Sequence, residues 1–320
     1  MIQVDFNNAA AQNLFGNGGH DRMVSGCGQS TLSGGDGNDA LTSYNGRSHL
    51  NGGAADDTLY PTSSYSMAGN RAAVLIGGAG HDTLSLSLTT ITEAFVANFA
   101  LQNVVLVGGT RISGVEAVGF WAGSGNDSLT ASNDAAVFGV NTLGGNGGND
   151  TLRASAAGVR LDGGTGNDLP VGAAGADHQN GSLNDDTLLG GYGKDVLTGG
   201  PGADNFVFAA YAQTGNDAVT RDRITDFGHT DLDRIDLSGI DLSGIDADGS
   251  FGNGKTAFHF IGNTVFHHVA GELRHVKFNP PGTAQDVTVV AGDIDGNGTT
   301  EFQIDLDGLV NLTAGDFIRV

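Results

Sequence analysis

A single cysteine, Cys27, stands in 320 residues, so no disulfide can form within the chain, and we read it as a small apolar packing group. Basic residues are scarce too: 14 Lys and Arg face 36 Asp and Glu, for a formal charge of −22. Without a basic patch to meet phosphates, nucleic acid and an anionic membrane surface are set aside as partners. No apolar run approaches the roughly eighteen residues of a membrane helix. The opening MIQVDFNNAAAQNLFGNGG has neither a basic n-region nor an apolar h-region, so it does not read as a Sec signal peptide. Tryptophan occurs once, as Trp121, and is assigned to packing.

What is abundant is glycine, 54 residues, and aspartate in turns. From Gly163 to Val207 one nine-residue phrase is written five times: GGTGNDLPV, GAAGADHQN, GSLNDDTLL, GGYGKDVLT and GGPGADNFV. Its sixth position is Asp168, Asp177, Asp186, Asp195 and Asp204, and its eighth is apolar in Leu188, Leu197 and Phe206. Glycines (Gly163, Gly164, Gly166, Gly190, Gly191, Gly193, Gly199, Gly200, Gly202) permit turns that place backbone carbonyls inside a bend, and the aspartate adds a carboxylate beside them. Such an oxygen cage suits a hard cation, Ca2+. The last three residues make a short strand whose position eight points inward. Two phrases complete one coil, and the pattern is that of a calcium-binding nonapeptide solenoid.

The same phrase runs through six copies from Gly16: GNGGHDRMV, SGCGQSTLS, GGDGNDALT, SYNGRSHLN, GGAADDTLY and PTSSYSMAG. Odd copies carry Asp21, Asp39 and Asp57 at the sixth slot, and even copies carry Ser30, Ser48 and Ser66. With two copies per coil, one edge should bind calcium, through these aspartates with Gly34, Gly35, Gly37 and Gly52, and the other should be a hydroxyl-lined turn. Position eight stays apolar at Met23, Leu32, Leu41, Leu50, Leu59 and Ala68. The next strong copy, with Gly77, Gly80 and Asp82, follows an insertion around residues 70–76. Between 86 and 122 the glycine phrase disappears, and AFVANFA, VVLVGG and ISGVEAVGFWAG read as short strands. The phrase returns with Asp127 and Asp150; since Asp127 lies 45 residues, five nonapeptides, after Asp82, a degenerate coil is expected to continue through the gap.

Beyond the repeats the character changes. FVFAA, DRITDF, DRIDLSGID, AFHFIG, GELRHVKF, GDIDGNGTTEFQIDLDG and LTAGDFIRV, in that order, closely resemble the C-terminal segment of serralysin-type RTX proteins. The resemblance implies a calcium-loaded β-roll followed by a capping segment that carries an uncleaved C-terminal signal read by a type I secretion apparatus, hence an extracellular protein. In that family the module also accompanies mannuronan epimerases, lipases and zinc proteases, so it implies a vehicle rather than an activity. Two departures stand out. DLSGID occurs twice, from Asp236 and from Asp241, and Arg319 interrupts the acidic-then-apolar ending Asp316, Phe317, Ile318, Val320.

Other motifs read as ordinary structure. The HExxH helix of a zinc protease is absent, and His259, His267, His268 and His275 are not read as a zinc cluster, so no zinc is expected. Residues 249–256, GSFGNGKT, match a phosphate-loop pattern but lack the buried strand before and the helix after. Asp293, Asp295, Asn297 and Glu301 open an EF-hand-like loop whose twelfth slot is Ile304, which leaves either a further calcium site or a hairpin turn with solvated carboxylates, and we favour the turn. GxSxG is missing.

The expected architecture is therefore all-β: a parallel β-roll or β-helix solenoid over 1–207, with tandem repeats at 163–207 and a degenerate middle at 86–122, followed by a β-rich cap and secretion segment over 208–320. The expected role is calcium binding without catalysis, structural or adhesive at a cell surface or an extracellular polysaccharide, or as a carrier; about fifteen residues before the first repeat leave no room for a catalytic domain. Two alternatives stand beside it. One is a polysaccharide-active enzyme, epimerase-like or lyase-like, or another extracellular enzyme, using the face at 86–121, where Glu93, Arg111 and Glu116 are the charged residues. The other is the C-terminal part of a serralysin-like metalloprotease.

Overall fold

Most phrases place one large apolar side chain at position eight, and side chains along a strand alternate between faces, so position eight turns inward. The computed structural model describes residues 2–3, 11–26, 29–44, 48–61, 73–101, 103–106, 110–132, 141–155, 158–240, 242, 257–279 and 286–318. Cys27, Ser66, Ala68, the 249–256 stretch, Asp241, Arg319 and Val320 lie outside them. The fold is a parallel β-roll. Met23 pairs in register with Leu41, Leu41 with Leu59, and Leu59 with Leu84. On the facing wall Leu32 pairs with Leu50 and Leu50 with Leu75. All seven side chains are fully buried. Since Met23 and Leu41 are one coil apart, two phrases make one coil.

The chain forms two compact units, residues 1–162 and 163–320. In the first, the strands Arg22–Ser25, Ala40–Ser43, Thr58–Pro61, Thr83–Ser87, Ala117–Trp121 and Asn141–Gly147 line one sheet. Gln12–Gly18, Ser30–Asp36, His49–Ala54 and Val74–Ala79 line another. The insertion around residues 70–76 leaves the register intact, since Leu59 still pairs with Leu84 and Leu50 with Leu75. The middle stretch also continues the coil, but not by nonapeptides. Leu84 pairs with Val118 across a single long coil, from which the antiparallel pair Asn103–Val105 and Arg111–Ser113 branches and joins Val74–Ala79 through Ile112 and Leu75. Val96–Asn98 pairs with Ser128–Thr130 and starts a further wall. Three phenylalanines fill this widened section, with Phe95 and Phe99 at 5.5 and 5.2 Å from Phe120 between ring centroids. The Trp121 ring packs over Gly144, where a Cβ would come within 2.5 Å of it.

In the second unit Gln179, Leu197 and Ile224 stack on one wall and Leu188, Phe206, Ile235 and Phe317 on the other. Gln179, at a position-eight slot, is buried and donates its side-chain Nε2 to the Leu189 carbonyl, while its Oε1 accepts no hydrogen bond. The strands Glu272–Phe278, Val287–Asp293 and Phe302–Asp307 form an antiparallel sheet that joins the roll where Phe302–Asp307 runs parallel to Asp222–Ile224. Phe206, Phe208, Phe258, Phe302, Ile304 and Phe317 share one core here.

Candidate functional site

The sixth-slot aspartates stack into rows along the coil edges, joined by one repeated hydrogen bond. The amide of each slot donates to Oδ1 of the aspartate one coil later: Asp21 to Asp39, Asp39 to Asp57 and Asp57 to Asp82, each at 2.8 Å. The row ends on Glu116, whose Oε2 accepts from the Asp82 amide at 2.8 Å. A second row in the same unit runs from the Phe95 amide to Asp127 and from the Asp127 amide to Asp150, at 2.6 and 2.7 Å. Asp127 thus does not continue the Asp82 row. In the second unit one row is Asp168, Asp186, Asp204 and Asp233, and the other is Asp177, Asp195 and Asp222.

That bond uses one carboxylate oxygen. The other, Oδ2, is buried and accepts no hydrogen bond in Asp39, Asp57, Asp82, Asp186, Asp195 and Asp204. A Cβ on Gly34 would lie 2.1 Å from Asp39 Oδ2, on Gly52 2.3 Å from Asp57 Oδ2, and on Gly199 2.3 Å from Asp204 Oδ2. Gly77, Gly163 and Gly190 stand in the same relation to Asp82, Asp168 and Asp195. The second glycine of the phrase solves a different problem. Gly35 has φ +108°, and a Cβ there would strike the Asn17 carbonyl oxygen at 2.3 Å. Gly164, Gly191 and Gly200 repeat that conformation, as do Gly37, Gly80, Gly166, Gly193 and Gly202 at the fourth position. At three departures from glycine the backbone stays left-handed: Ala55, Ser182 and Asn184 hold φ +77°, +84° and +81°.

Orphaned buried carboxylate oxygens beside glycine-lined turns form a donor set of hard oxygens, which fits a calcium-type cation and not a soft metal. Burial is the main force on these groups, opposed by the amide bond and reinforced by neighbouring carboxylates. It raises Asp39, carries Asp57 and Asp82 up to about 6, and carries Asp186, Asp195 and Asp204 to about 7. A groove of about 480 Å³ follows the first row, lined by His20, Asp21, Asn38, Asp39, Asp56, Asp57 and His81. The alternate edge carries buried serines, Ser30 and Ser48, with Ser43 Oγ donating to Ser48 Oγ at 2.5 Å.

Three acidic members of the rows, Glu116, Asp222 and Asp233, are not among the metal ligands expected from the sequence. Each follows a coil without the glycine phrase, so spacing alone does not flag it. The hairpin at Asp293 is a second correction. Asp293 is fully buried, not solvated, and accepts from the Gly296 and Gly298 amides at 2.7 and 2.9 Å. It shares a cluster with Asp295 and Glu301 whose carboxylate oxygens lie within 4.8 Å of one another. The histidines serve packing and pairing: His267 Nδ1 meets Glu272 at 2.8 Å, and the His275 ring stacks on Phe260 at 5.8 Å.

Among solved structures the chain is similar to the AlgE6R3 subunit of the Azotobacter vinelandii mannuronan C5-epimerase, at 23% identity and a TM-score of 0.26, over 61% of this chain and 80% of that one. It is also similar to the extracellular lipase LipA of Serratia marcescens, at 16% identity and a TM-score of 0.24; 94% of this chain is covered but only 40% of the lipase. No curated protein sequence matches it. The family model described as the peptidase M10 serralysin C terminal matches residues 6–319, roll and downstream sheet together, and the chain belongs to that family.

Proposed function

We propose that this chain is a secreted calcium-binding repeat module that folds on meeting calcium outside the cell and has no catalysis of its own. The observation that carries this reading is the set of buried, unpartnered Oδ2 atoms, each set against the first glycine of its own phrase. Asp39, Asp57 and Asp82 would hold ions on one edge of the first unit, with Asp186, Asp195 and Asp204 doing so in the second. A bound ion supplies the positive charge that a row of buried carboxylates lacks. Residues 1–207 would serve as the loading array and 208–320 as cap and export segment. Glu116, one of the two carboxylates of the middle stretch, supports a role without chemistry, since its Oε2 accepts from the Asp82 amide. A structural, adhesive or carrier task at a polysaccharide or cell surface follows.

Isothermal titration tests the assignment of edges. Asp39→Ala should remove at least one calcium from the 21–39–57 row, because a middle rung touches both neighbours, whereas Ser48→Ala on the alternate edge should leave the stoichiometry unchanged. Equal loss from the two variants would refute the reading.

Export gives a second test. The ending is part of the fold: Phe317 is buried and pairs with Ile235, and Asp316 Oδ2 accepts from the Thr313 amide at 2.6 Å. Deleting residues 316–320 is expected to hold the protein inside a host supplied with a type I exporter. Ile235→Ala weakens the same contact from the other side but leaves the terminus intact, and it should still be exported, because the chain passes unfolded. Truncated protein in the medium would show that the ending is only the last strand of the cap.

A further inference from the structure

We propose that the outer face of the first unit's long sheet, at Tyr44, Tyr60 and Trp121, is a docking strip for a neutral polysaccharide. This names the partner of the adhesive task above and rests on the reading of the roll as a calcium-folded module. Tyr60 lies in the strand Thr58–Pro61, Trp121 ends the strand Ala117–Trp121, and Tyr44 follows Ala40–Ser43. Each is the neighbour in sequence of a buried, inward side chain, Ser43, Leu59 or Phe120, so all three emerge on the same side of one sheet. The pairing of Thr42 with Tyr60 sets Tyr44 two residues along and one strand across from Tyr60, about 8 Å away between Cα atoms. Tyr44 and Trp121 share a column three strands apart, about 14 Å along the stack of rungs.

The rings are open to a partner. Tyr44 and Tyr60 are 45% and 43% exposed. The Trp121 indole is half-buried and lies along the sheet: a Cβ on Gly119 would come within 3.2 Å of its six-membered ring, and one on Gly144 within 2.5 Å of its Cδ1. Two glycines therefore let the ring lie down against the backbone, with its other face turned outward.

The surroundings of the rings select the partner. The strands ALTS, TLYP, TLSLS and AVGFW hold no Asp, Glu, Lys, Arg or His, in a chain of formal charge −22. Thr42, Thr58, Thr83, Ser85 and Ser87 set hydroxyls between the rings, on rungs about 4.8 Å apart. An apolar protein surface laid here would strip water from those hydroxyls and leave them unpaired. A sugar ring matches both features: its C–H face packs on an aromatic ring, and its own hydroxyls pair with threonine and serine. A polymer adds repetition, which successive rungs can meet along its length. The polymer is neutral, because these strands offer no cation to receive carboxylates or sulfates, and the strip borders the acidic groove of the first aspartate row, which shares Thr58 and Thr83.

Trp121 is the single tryptophan, so its emission reports this strip alone. The calcium-loaded full chain is run through native gels containing, in turn, a soluble β-glucan, an α-glucan, a galactomannan and a polyuronate, and its fluorescence is titrated with each. At least one neutral polymer is expected to retard the chain and shift its emission. Tyr44→Ala and Tyr60→Ala should each weaken the retardation about fivefold, the weight of one stacked ring, and Trp121→Ala should abolish it. Tyr211→Ala, at an exposed tyrosine beyond the repeats, should bind as wild type does. Should Trp121→Ala fail to reach a β spectrum in calcium, the two tyrosine variants decide, since both side chains lie outside the core. Retardation by no neutral polymer, by the polyuronate only, or equally in wild type and the tyrosine variants overturns this proposal and leaves the calcium reading in place. A chain that binds a neutral polymer through these residues yet gains no β signal from calcium overturns the calcium reading alone.

Discussion

In excess chelator the chain is expected to lose most of its β circular-dichroism signal, and millimolar calcium to restore it cooperatively. Rungs of a parallel sheet stand about 4.8 Å apart, so the stacked carboxylates of a row are near neighbours. Two such charges repel by about 0.8 kcal/mol in bulk water and by about 3 kcal/mol at an effective dielectric near 20. The row Asp21, Asp39, Asp57, Asp82, Glu116 holds five acidic groups, and the carboxylates of Asp39, Asp57 and Asp82 are almost wholly buried. An ion that binds the coiled form and not the extended one contributes, at a hundredfold its dissociation constant, about 2.7 kcal/mol per site. Several sites acting on one continuous stack give a steep transition. A β spectrum unchanged by chelation would mean that packing of Leu32, Leu41, Leu50 and their kin is sufficient by itself.

Acid should partly substitute for calcium. Without an ion, Asp57 and Asp82 titrate near 6, Asp186, Asp195 and Asp204 near 7, and Asp222 near 8, all raised by burial from an ordinary value of 3.8. A carboxyl whose folded value is raised binds its proton more tightly in the fold. Its stabilisation is thus complete below the unfolded value of 3.8 and is lost as pH rises through 6 to 8. In chelator, β signal is expected to grow as pH falls from 8 to 5, a range kept above the sequence pI of 4.3. The ion must displace those protons, so calcium affinity should drop at least tenfold between pH 7.5 and 5.5, with proton release on binding. Equal signals at pH 8 and 5 in chelator, or an affinity indifferent to pH, would show that these aspartates are charged in the ion-free chain.

Much of this protein is written locally. The nonapeptide by itself determined the parallel roll, the two-phrase coil, the alternation of Asp39 and Ser48 edges, and the inward stack of Leu41, Leu50 and Leu59. It could do so because every rung repeats the same short-range code: glycines where the backbone turns left-handed, one acid, one apolar side chain. Where that code lapses, only the tertiary structure decided the outcome. Glu116, Asp222 and Asp233 enter the rows because strand pairing across long, irregular coils brings them to the same rung, not because their neighbours in sequence mark them. Ala55 and Ser182 hold left-handed turns that their own preferences do not request, since the coils on either side dictate the path. Asp293 reads as a surface hairpin acid and is buried, because the strands that flank it pack into the core formed by Phe302 and Ile304. Burial and partnership over such distances depend on which strands meet, and that is a property of the whole fold.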